Sequence, residues 1–120
     1  REFVNRLHPL QRVVDFTSLK VGRFIKALNK RAATKKGCLV YFAIKDSLYN
    51  LSDRFNYKHE ILTGETSSDE RIRIREEHNS ATIIFCTSAG SRSFNFHAVD
   101  TVMFYNMPFE IEVVRRLGDV

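Results

Sequence analysis

Short apolar runs alternate along the chain with segments that have the spacing of an amphipathic helix. In the segment 17–34, five apolar residues recur at helical spacing and share one face: Val21, Phe24, Ile25, Leu28 and Ala32. Thr17 or Ser18 suits the N-cap position of this helix. The continuous apolar run that follows, 38–43, is typical of a strand buried on both faces.

A second helix and a second strand come next. Asp46 is a suitable N-cap for a helix in which Leu48, Leu51 and Phe55 lie on one face. The segment 60–63 is predicted to form a short strand that is ended by the glycine after it.

The third helix is predicted at 67–78. Ser67 and Glu70 have the spacing of a capping box. Arginine and isoleucine alternate through 71–75, which is also typical of a strand, but the capping signal and the length favour a helix. Two more apolar strands are predicted at 81–86 and 101–105, and a last helix at 110–117.

This alternation of strands and helices favours parallel strand pairing with right-handed crossovers. We therefore predict an α/β fold, a three-layer sandwich with a mainly parallel central sheet. In such sheets functional groups gather in the loops that leave the carboxyl ends of the strands. Here those loops are 43–46, 63–68, 87–93 and 106–109.

Length and composition agree with one such domain. The chain has 120 residues, of which 43% are hydrophobic, and this is enough apolar material for a packed core. No apolar run approaches the roughly 18 residues of a membrane span. We expect no membrane association and an intracellular location, either cytoplasmic or nuclear.

The cysteines and histidines do not suggest chemistry of their own. Cys38 and Cys86 lie inside apolar runs and are expected to be buried, reduced thiols. Four scattered histidines lack metal-ligand spacing and are expected at the surface or at edges: His8, His59, His78 and His97. No metal site is predicted.

Basic residues are concentrated in one part of the chain. The net charge is +5, yet between residues 16 and 45 there are eight basic residues and no acidic one: Lys20, Arg23, Lys26, Lys30, Arg31, Lys35, Lys36 and Lys45. Such a segment can lie along a phosphate backbone, or it can be the solvated face of a helix. Charge alone leaves both interpretations open.

Several nucleotide-binding and catalytic classes lack their signatures. No glycine belongs to a G-x-x-x-x-G-K-[ST] loop. The acidic pair Asp69 and Glu70 begins a predicted helix, where it suits the helix dipole better than a magnesium ion. A receiver or flavodoxin-like site would need an acidic cluster or a glycine-rich first turn, and no nucleophile-elbow spacing supports a catalytic triad.

One strand-end loop keeps a functional interpretation open. From Thr87 to Ser91 it consists of small and hydroxyl residues, including Ser88 and Gly90. Its backbone amides are expected to point outward and could wrap an anion. The alternatives are an ordinary surface turn and, for Asn95, a side chain bonded to neighbouring backbone.

The motifs also come in a recognisable order. A helix opens near Lys20, a strand and helix occupy 40–48, a Gly-x-Thr turn with Glu and Arg occupies 64–71, and "TSAGSRSFNFHAVD" precedes "TVMFYN". This order resembles the second RecA-like lobe of superfamily two helicases, most closely the Swi/Snf-type DNA translocase branch. The resemblance covers about residues 18–118.

The resemblance assigns roles to the loop, which corresponds to motif V of the family. It implies that the loop contacts the phosphates of a nucleic-acid strand, while Ser93 and Asn95 face a nucleotide held between two lobes. Ser91 and Ser93 replace family glycines. The loop is therefore expected to be stiffer or to have a different backbone conformation. The expected nucleic-acid-binding residues are Thr63, Gly64, Thr87, Ser88, Gly90, Ser91, Arg92, Lys30, Arg31, Lys35 and Lys36.

Motif VI of the family supplies an arginine to the γ-phosphate of ATP. In one register Arg115 takes the place of the family's glutamine and Asp119 that of its first arginine. In a second register, Arg116 with Leu117 and Gly118 matches the Swi/Snf branch, and Arg116 becomes the catalytic arginine. A third possibility is an arginine beyond the last residue given. Arg115 is assigned to ATP binding and Arg116 to catalysis.

The resemblance thus implies lobe two of an ATP-dependent helicase or translocase. Residues 1–16 would be a lead-in from a longer chain, and 17–120 a lobe that stops within motif VI. ATP and Mg²⁺ would be bound mainly by an absent first lobe, so the chain alone is not expected to hydrolyse ATP. The expected partners are that first lobe and a nucleic acid, DNA rather than RNA. The alternative is a non-catalytic module that binds nucleic acid or a partner.

Overall fold

The computed structural model describes residues 19–106. It contains helices α1 (Leu19–Ala33), α2 (Lys45–Arg54), α3 (Ser68–Glu77) and α4 (Ser88–Ser91), and strands β1 (Cys38–Phe42), β2 (Glu60–Leu62), β3 (Ile83–Thr87) and β4 (Val102–Phe104). The predicted helices at 46–55 and 67–78 and all four predicted strands are confirmed. The predicted helix at 17–34 is confirmed from Leu19 onward, and its predicted N-cap, Thr17 or Ser18, lies outside the described residues. Within 71–75 the chain is helical, as capping and length predicted. The predicted helix at 110–117 lies outside the described residues.

The four strands form one parallel sheet in the order β2-β3-β1-β4. The central pair is in register from Cys38 opposite Ile83 to Phe42 opposite Thr87. Because every strand runs the same way, the sheet has one amino edge, where strands begin, and one carboxyl edge, where they end. This confirms the predicted α/β fold.

Successive residues of β1 point to opposite faces of the sheet, and each face has its own core. Cys38, Val40 and Phe42 pack with residues of α1 and α2. Leu39 and Tyr41 pack on the other face, together with α3 and the β3–β4 connection. Side chains alternate in this way along any strand, so an unbroken apolar run serves both cores and produces three layers.

The start of α2 differs from the prediction, whereas the start of α3 agrees with it. Asp46 is not the N-cap of α2, because Ile44 occupies that position without a side-chain bond and Asp46 lies in the first turn. There its carboxylate still suits the positive end of the helix dipole. Ser67 does cap α3, since its hydroxyl accepts from the Glu70 amide at 3.2 Å. The Glu70 carboxylate binds Arg73.

The prediction of a surface position is wrong for His78, which is buried. His78 is the C-cap of α3, and its Nδ1 lies 2.9 Å from the carbonyl oxygen of Arg75. Its Nε2 accepts from the Ala98 amide at 3.4 Å. The helix end and the β3–β4 connection close around the ring, which explains its burial.

Both cysteines are buried and do not form a disulfide, as predicted. Burial raises the pKa of the Cys38 thiol, and the neighbouring Arg31 guanidinium only partly offsets this effect. In the described part of the chain, no helix has the length and apolar character needed to cross a membrane.

Candidate nucleic-acid interface

A groove opens at the carboxyl edge of the sheet, where the loops after β1, β2 and β3 meet. Its cavity measures about 320 Å³ and is lined by Ala43, Lys45, Gly64, Glu65, Thr87, Ser88 and Ala89. Parallel pairing places the ends of these three strands side by side. Loops far apart in sequence therefore form one surface.

The loop after β3 is not an open turn of free amides, which corrects the sequence-based expectation. Residues Ser88–Ser91 form the short helix α4, and Thr87 caps it by accepting from the Gly90 amide at 3.3 Å. The Ser91 hydroxyl donates to the Ser88 carbonyl at 3.1 Å and is buried. Thr87 is also buried, so Ser88 is the most accessible hydroxyl within 87–91.

Gly90 has a packing role beneath the groove. A Cβ at this position would overlap the backbone carbonyl of Leu62, the last residue of β2. Only glycine lets α4 approach the end of β2 this closely. Gly90 thus brings the β3 loop against the β2 loop, although it is itself buried.

The loop after β2 is a tight turn held by two threonines. The Thr63 hydroxyl accepts from the Glu65 amide at 3.1 Å. The Thr66 hydroxyl accepts from the Thr63 amide at 2.9 Å. Thr63 is buried by this arrangement, whereas Gly64 is exposed and lines the groove.

Lys45 and Glu65 form an ion pair across the groove that no sequence pattern had indicated. Their side chains are 51% and 66% exposed. The hydrogen bond to the Glu65 carboxylate is the main reason why the pKa of Lys45 is raised. Local patterns could not mark this pair, because it joins the loop after β1 to the loop after β2.

Arg71 is a second residue whose role was missed. Its guanidinium donates to the carbonyl of Gly90 at 2.9 Å and to that of Arg92 at 2.7 Å. Arg71 belongs to the predicted family motif at 64–71, but the sequence indicated no function for it. In the structure it fastens α3 to the loop after β3.

The two residues expected to face a nucleotide, Ser93 and Asn95, are both exposed. Ser93 has a φ of 59°, a left-handed conformation that favours glycine. A cleft of about 200 Å³ lies beside it, lined by Ser68, Arg71, Ile72, Arg75, Ser93 and Phe94. Asn95 lies in sequence between Phe94 and the buried Phe96. The ring centroids of these two phenylalanines are 4.6 Å apart. The Phe96 ring anchors the segment in the core below.

Four of the basic residues predicted to bind nucleic acid, at 30, 31, 35 and 36, are not beside the groove. Lys30 and Arg31 lie in the last turn of α1, and Lys35 and Lys36 follow, so all four precede β1 at the amino edge. Arg31 donates to the Gly37 carbonyl at 2.7 Å and holds this corner of the fold. The three lysines are exposed.

The opposite end of α1 does approach the carboxyl edge. The Lys20 ammonium lies 4.6 Å from the ring centroid of Tyr105, which follows β4. The helix therefore runs antiparallel to β1 and carries its basic residues from one edge of the sheet to the other.

Arg115 and Arg116 lie outside the described residues. Within residues 19–106, no three His, Cys, Asp or Glu side chains are grouped so that they could hold a metal ion.

A protein-family model matches most of this chain. The model described as "Helicase conserved C-terminal domain" matches residues 19–117. Two proteins of Encephalitozoon cuniculi (strain GB-M1) are similar in sequence. The "ATP-dependent rRNA helicase SPB4" is 32% identical over 91 residues, which cover 71% of this chain. The "ATP-dependent RNA helicase DBP4" is 34% identical over 92 residues, which cover 69% of this chain. The match spans 20% of the length of each relative.

The fold is similar to that in the "Crystal structure of the C-terminal part of Fun30 ATPase domain". The TM-score is 0.69 over 88% of this chain and 36% of that one, with 19% identity. At this identity the likeness concerns the fold.

Proposed function

Because this chain belongs to the family of helicase conserved C-terminal domains, we propose that it is the second lobe of an ATP-dependent nucleic-acid helicase or translocase. The groove at the carboxyl edge carries this proposal, since it brings a lysine, a hydroxyl and an exposed glycine turn into one cavity. These groups suit a phosphate backbone. Contacts of this kind position a strand without reading its bases, so binding should depend weakly on sequence and strongly on salt.

We propose RNA as the bound strand. The names of both curated relatives contain RNA. Each relative is more than 30% identical to this chain over about two thirds of the length of this chain. The expectation of DNA rested on the resemblance to the Swi/Snf branch. The neighbouring Fun30 structure is 19% identical and supports the shared fold without deciding the substrate. RNA and DNA are therefore compared directly in the experiment below.

The ATP site would be completed by a first lobe. Ser93 and Asn95 are proposed to face the nucleotide because both are exposed on the segment that leaves α4. Arg115 is proposed to bind ATP, and Arg116 to offset the charge that develops during phosphoryl transfer. Mg²⁺ is proposed to be held mainly by the first lobe.

The alternative is a non-catalytic module, suggested by Asp119 and by the serines at two family glycine positions. The geometry of the serines favours the motor instead. Ser91 lies in α4, and Ser93 adopts the left-handed φ that a glycine would take. The backbone at Ser93 thus keeps the conformation that a glycine adopts readily, although the residue is a serine.

The groove can be tested by placing a negative charge in it. Ser88→Asp adds a carboxylate in the first turn of α4, where a negative charge suits the helix dipole. It should weaken binding of a labelled single-stranded RNA about tenfold at low salt. The matched control is Ser80→Asp, which adds the same charge to an exposed turn at the amino edge. Fluorescence anisotropy with RNA and DNA of equal length measures both. Equal losses in the two variants, or no binding by the unmodified chain, would refute the proposal.

The proposed catalytic role of Arg116 has to be tested in the full-length protein. We expect hydrolysis of ATP that is stimulated by RNA and abolished by Arg116→Ala with RNA affinity retained. Unchanged hydrolysis in this variant would remove Arg116 from the catalytic role.

A further inference from the structure

We propose that Lys45 binds a nucleic-acid phosphate in the groove and that Glu65 competes with this phosphate as an internal counter-ion. The inference rests on the proposed function and adds a binding residue to it. It also assigns this chain a built-in limit on its affinity for nucleic acid.

Lys45 is placed where a phosphate contact would be needed. It is the first residue of α2, directly after the end of β1. It lines the same cavity as Thr87 and Ser88. Of the described residues that line this cavity, Lys45 carries the only positive charge.

Glu65 holds its position independently of the ion pair. Its backbone amide donates to the Thr63 hydroxyl at 3.1 Å, within the turn that follows β2. The Thr66 hydroxyl closes the same turn. The backbone of Glu65 therefore stays at the groove whether or not Lys45 is bound to its side chain. The carboxylate remains within reach of the ammonium and competes with a phosphate for it.

The ion pair can be exchanged. Both side chains are more than half exposed, and exposed pairs are screened by water and salt, so they contribute little to stability. A phosphodiester offers the ammonium the same charge as the carboxylate, and neighbouring phosphates add to the attraction. Binding would then transfer Lys45 from Glu65 to the strand.

A purely structural role is the competing explanation, because the pair also joins the loops after β1 and β2. A double-mutant cycle distinguishes the two. Glu65→Gln, Lys45→Met and the double variant are compared with the unmodified chain by anisotropy of a fluorescein-labelled oligouridine of about 12 nucleotides. Circular dichroism verifies that each variant is folded.

At about 50 mM salt, Glu65→Gln should tighten binding roughly three- to tenfold, because the competing charge is removed. Lys45→Met should weaken binding by a similar factor and reduce the slope of log affinity against log salt by about 0.7, the value for one phosphate contact on a single strand. In the Lys45→Met background the gain from Glu65→Gln should disappear.

Asp69→Asn is the matched control, since it removes one negative charge from an exposed residue in the first turn of α3. A gain equal to that of Glu65→Gln would mean general charge repulsion and would overturn the inference. So would a Glu65→Gln gain that persists without Lys45. If the unmodified chain binds the oligouridine and all variants bind equally, only this inference fails. If the unmodified chain does not bind, the proposed function fails with it.

Discussion

The guanidinium of Arg71 donates a hydrogen bond of 2.9 Å to the carbonyl of Gly90, joining α3 to α4 at the carboxyl edge. The same side chain reaches the carbonyl of Arg92 at 2.7 Å. Two bonds from one planar group fix both the position and the orientation of the loop. Arg71 is therefore expected to hold the groove-forming loop in place.

Replacing Arg71 by methionine should lower the free energy of unfolding by about 1–3 kcal/mol, because two carbonyls lose a charged donor. Urea denaturation measures this change. Arg75→Met removes the same charge from an exposed position one turn further along α3 and should have a much smaller effect. Equal losses in the two variants would show that the two bonds do not stabilise the fold.

Two glycines should respond to alanine with opposite signs. Gly90→Ala places a methyl group against the Leu62 carbonyl and should destabilise the fold by roughly 1–3 kcal/mol. Gly22 lies inside α1, where an added methyl group would meet no neighbouring atom of the described residues within 4 Å. Gly22→Ala should therefore stabilise by about 0.5–1 kcal/mol. Thermal unfolding of both variants gives the two signs. A Gly90→Ala variant as stable as the unmodified chain would contradict the close packing of α4 on β2.

The left-handed conformation of Ser93 makes a further prediction. Ser93→Val should destabilise the fold by about 1–2 kcal/mol, since a β-branched residue is strained at a φ of 59°. Ser93→Gly should leave the stability equal or slightly higher. Arg92→Val is the control, because Arg92 has a φ of −62° and accepts valine without strain. The reverse order of stabilities, measured by chemical denaturation, would refute this explanation.

The Arg73 ion-pair network should make stability depend on pH in the acidic range. Arg73 lies between the carboxylates of Glu60, Glu70 and Glu77, and its hydrogen bond lowers the pKa of Glu70 below the ordinary value of 4.5. A depressed folded-state pKa stabilises the fold above the ordinary value, and this stabilisation is lost as the pH falls through the folded-state pKa.

Urea midpoints measured between about pH 6 and pH 3 test this dependence. The urea concentration at the midpoint of the unmodified chain should decrease as the pH is lowered below about 4.5. This decrease should be shallower in Glu70→Gln. Glu76→Gln removes an exposed carboxylate from the same helix and should keep the original slope. Identical slopes in all three proteins would exclude a contribution from Glu70.

The position of the basic residues predicts that binding depends on the length of the strand. Lys30, Lys35 and Lys36 lie at the amino edge, away from the groove. Changing all three to glutamate should leave binding of a strand of about 6 nucleotides nearly unchanged at about 150 mM salt, where charges are screened beyond about 8 Å. A strand of about 20 nucleotides can reach both edges and should lose affinity. Arg31 is left intact because it holds the Gly37 carbonyl.

Anisotropy with the two lengths distinguishes three outcomes. Loss with the long strand alone supports a second contact region. Equal loss with both lengths would mean that the lysines act at the groove through the overall field. If affinity is unchanged with both lengths, the three lysines form a solvent-exposed surface that does not contact the nucleic acid.

Much of the fold could be predicted because its signals are local. The apolar face of α1, the continuous apolar run of β1 and the Ser67 cap of α3 each depend on residues within one or two turns. The predicted Asp46 cap lies two positions after the actual N-cap, Ile44, within the same turn. His78 was misjudged because its burial depends on Ala98 and the β3–β4 connection, which are remote in sequence.

The site was only partly predictable. The residues of the three strand-end loops were identified as a set, but their accessibility was not: Thr63, Gly90 and Ser91 are buried, and Gly64 and Ser88 line the groove. Accessibility depends on which backbone groups each side chain contacts, and the neighbouring loops provide those contacts.

The sequence by itself determined the order of the elements, the parallel three-layer architecture and the candidate loops, because periodicity, capping and strand-end position are properties of short segments. The tertiary structure alone decided that Lys45 faces Glu65, that Arg71 holds Gly90, and that the lysines at 30, 35 and 36 lie at the edge opposite the groove. The physical reason is that parallel strands bring distant chain segments together at one edge. Which charges meet there depends on the packed sheet as a whole.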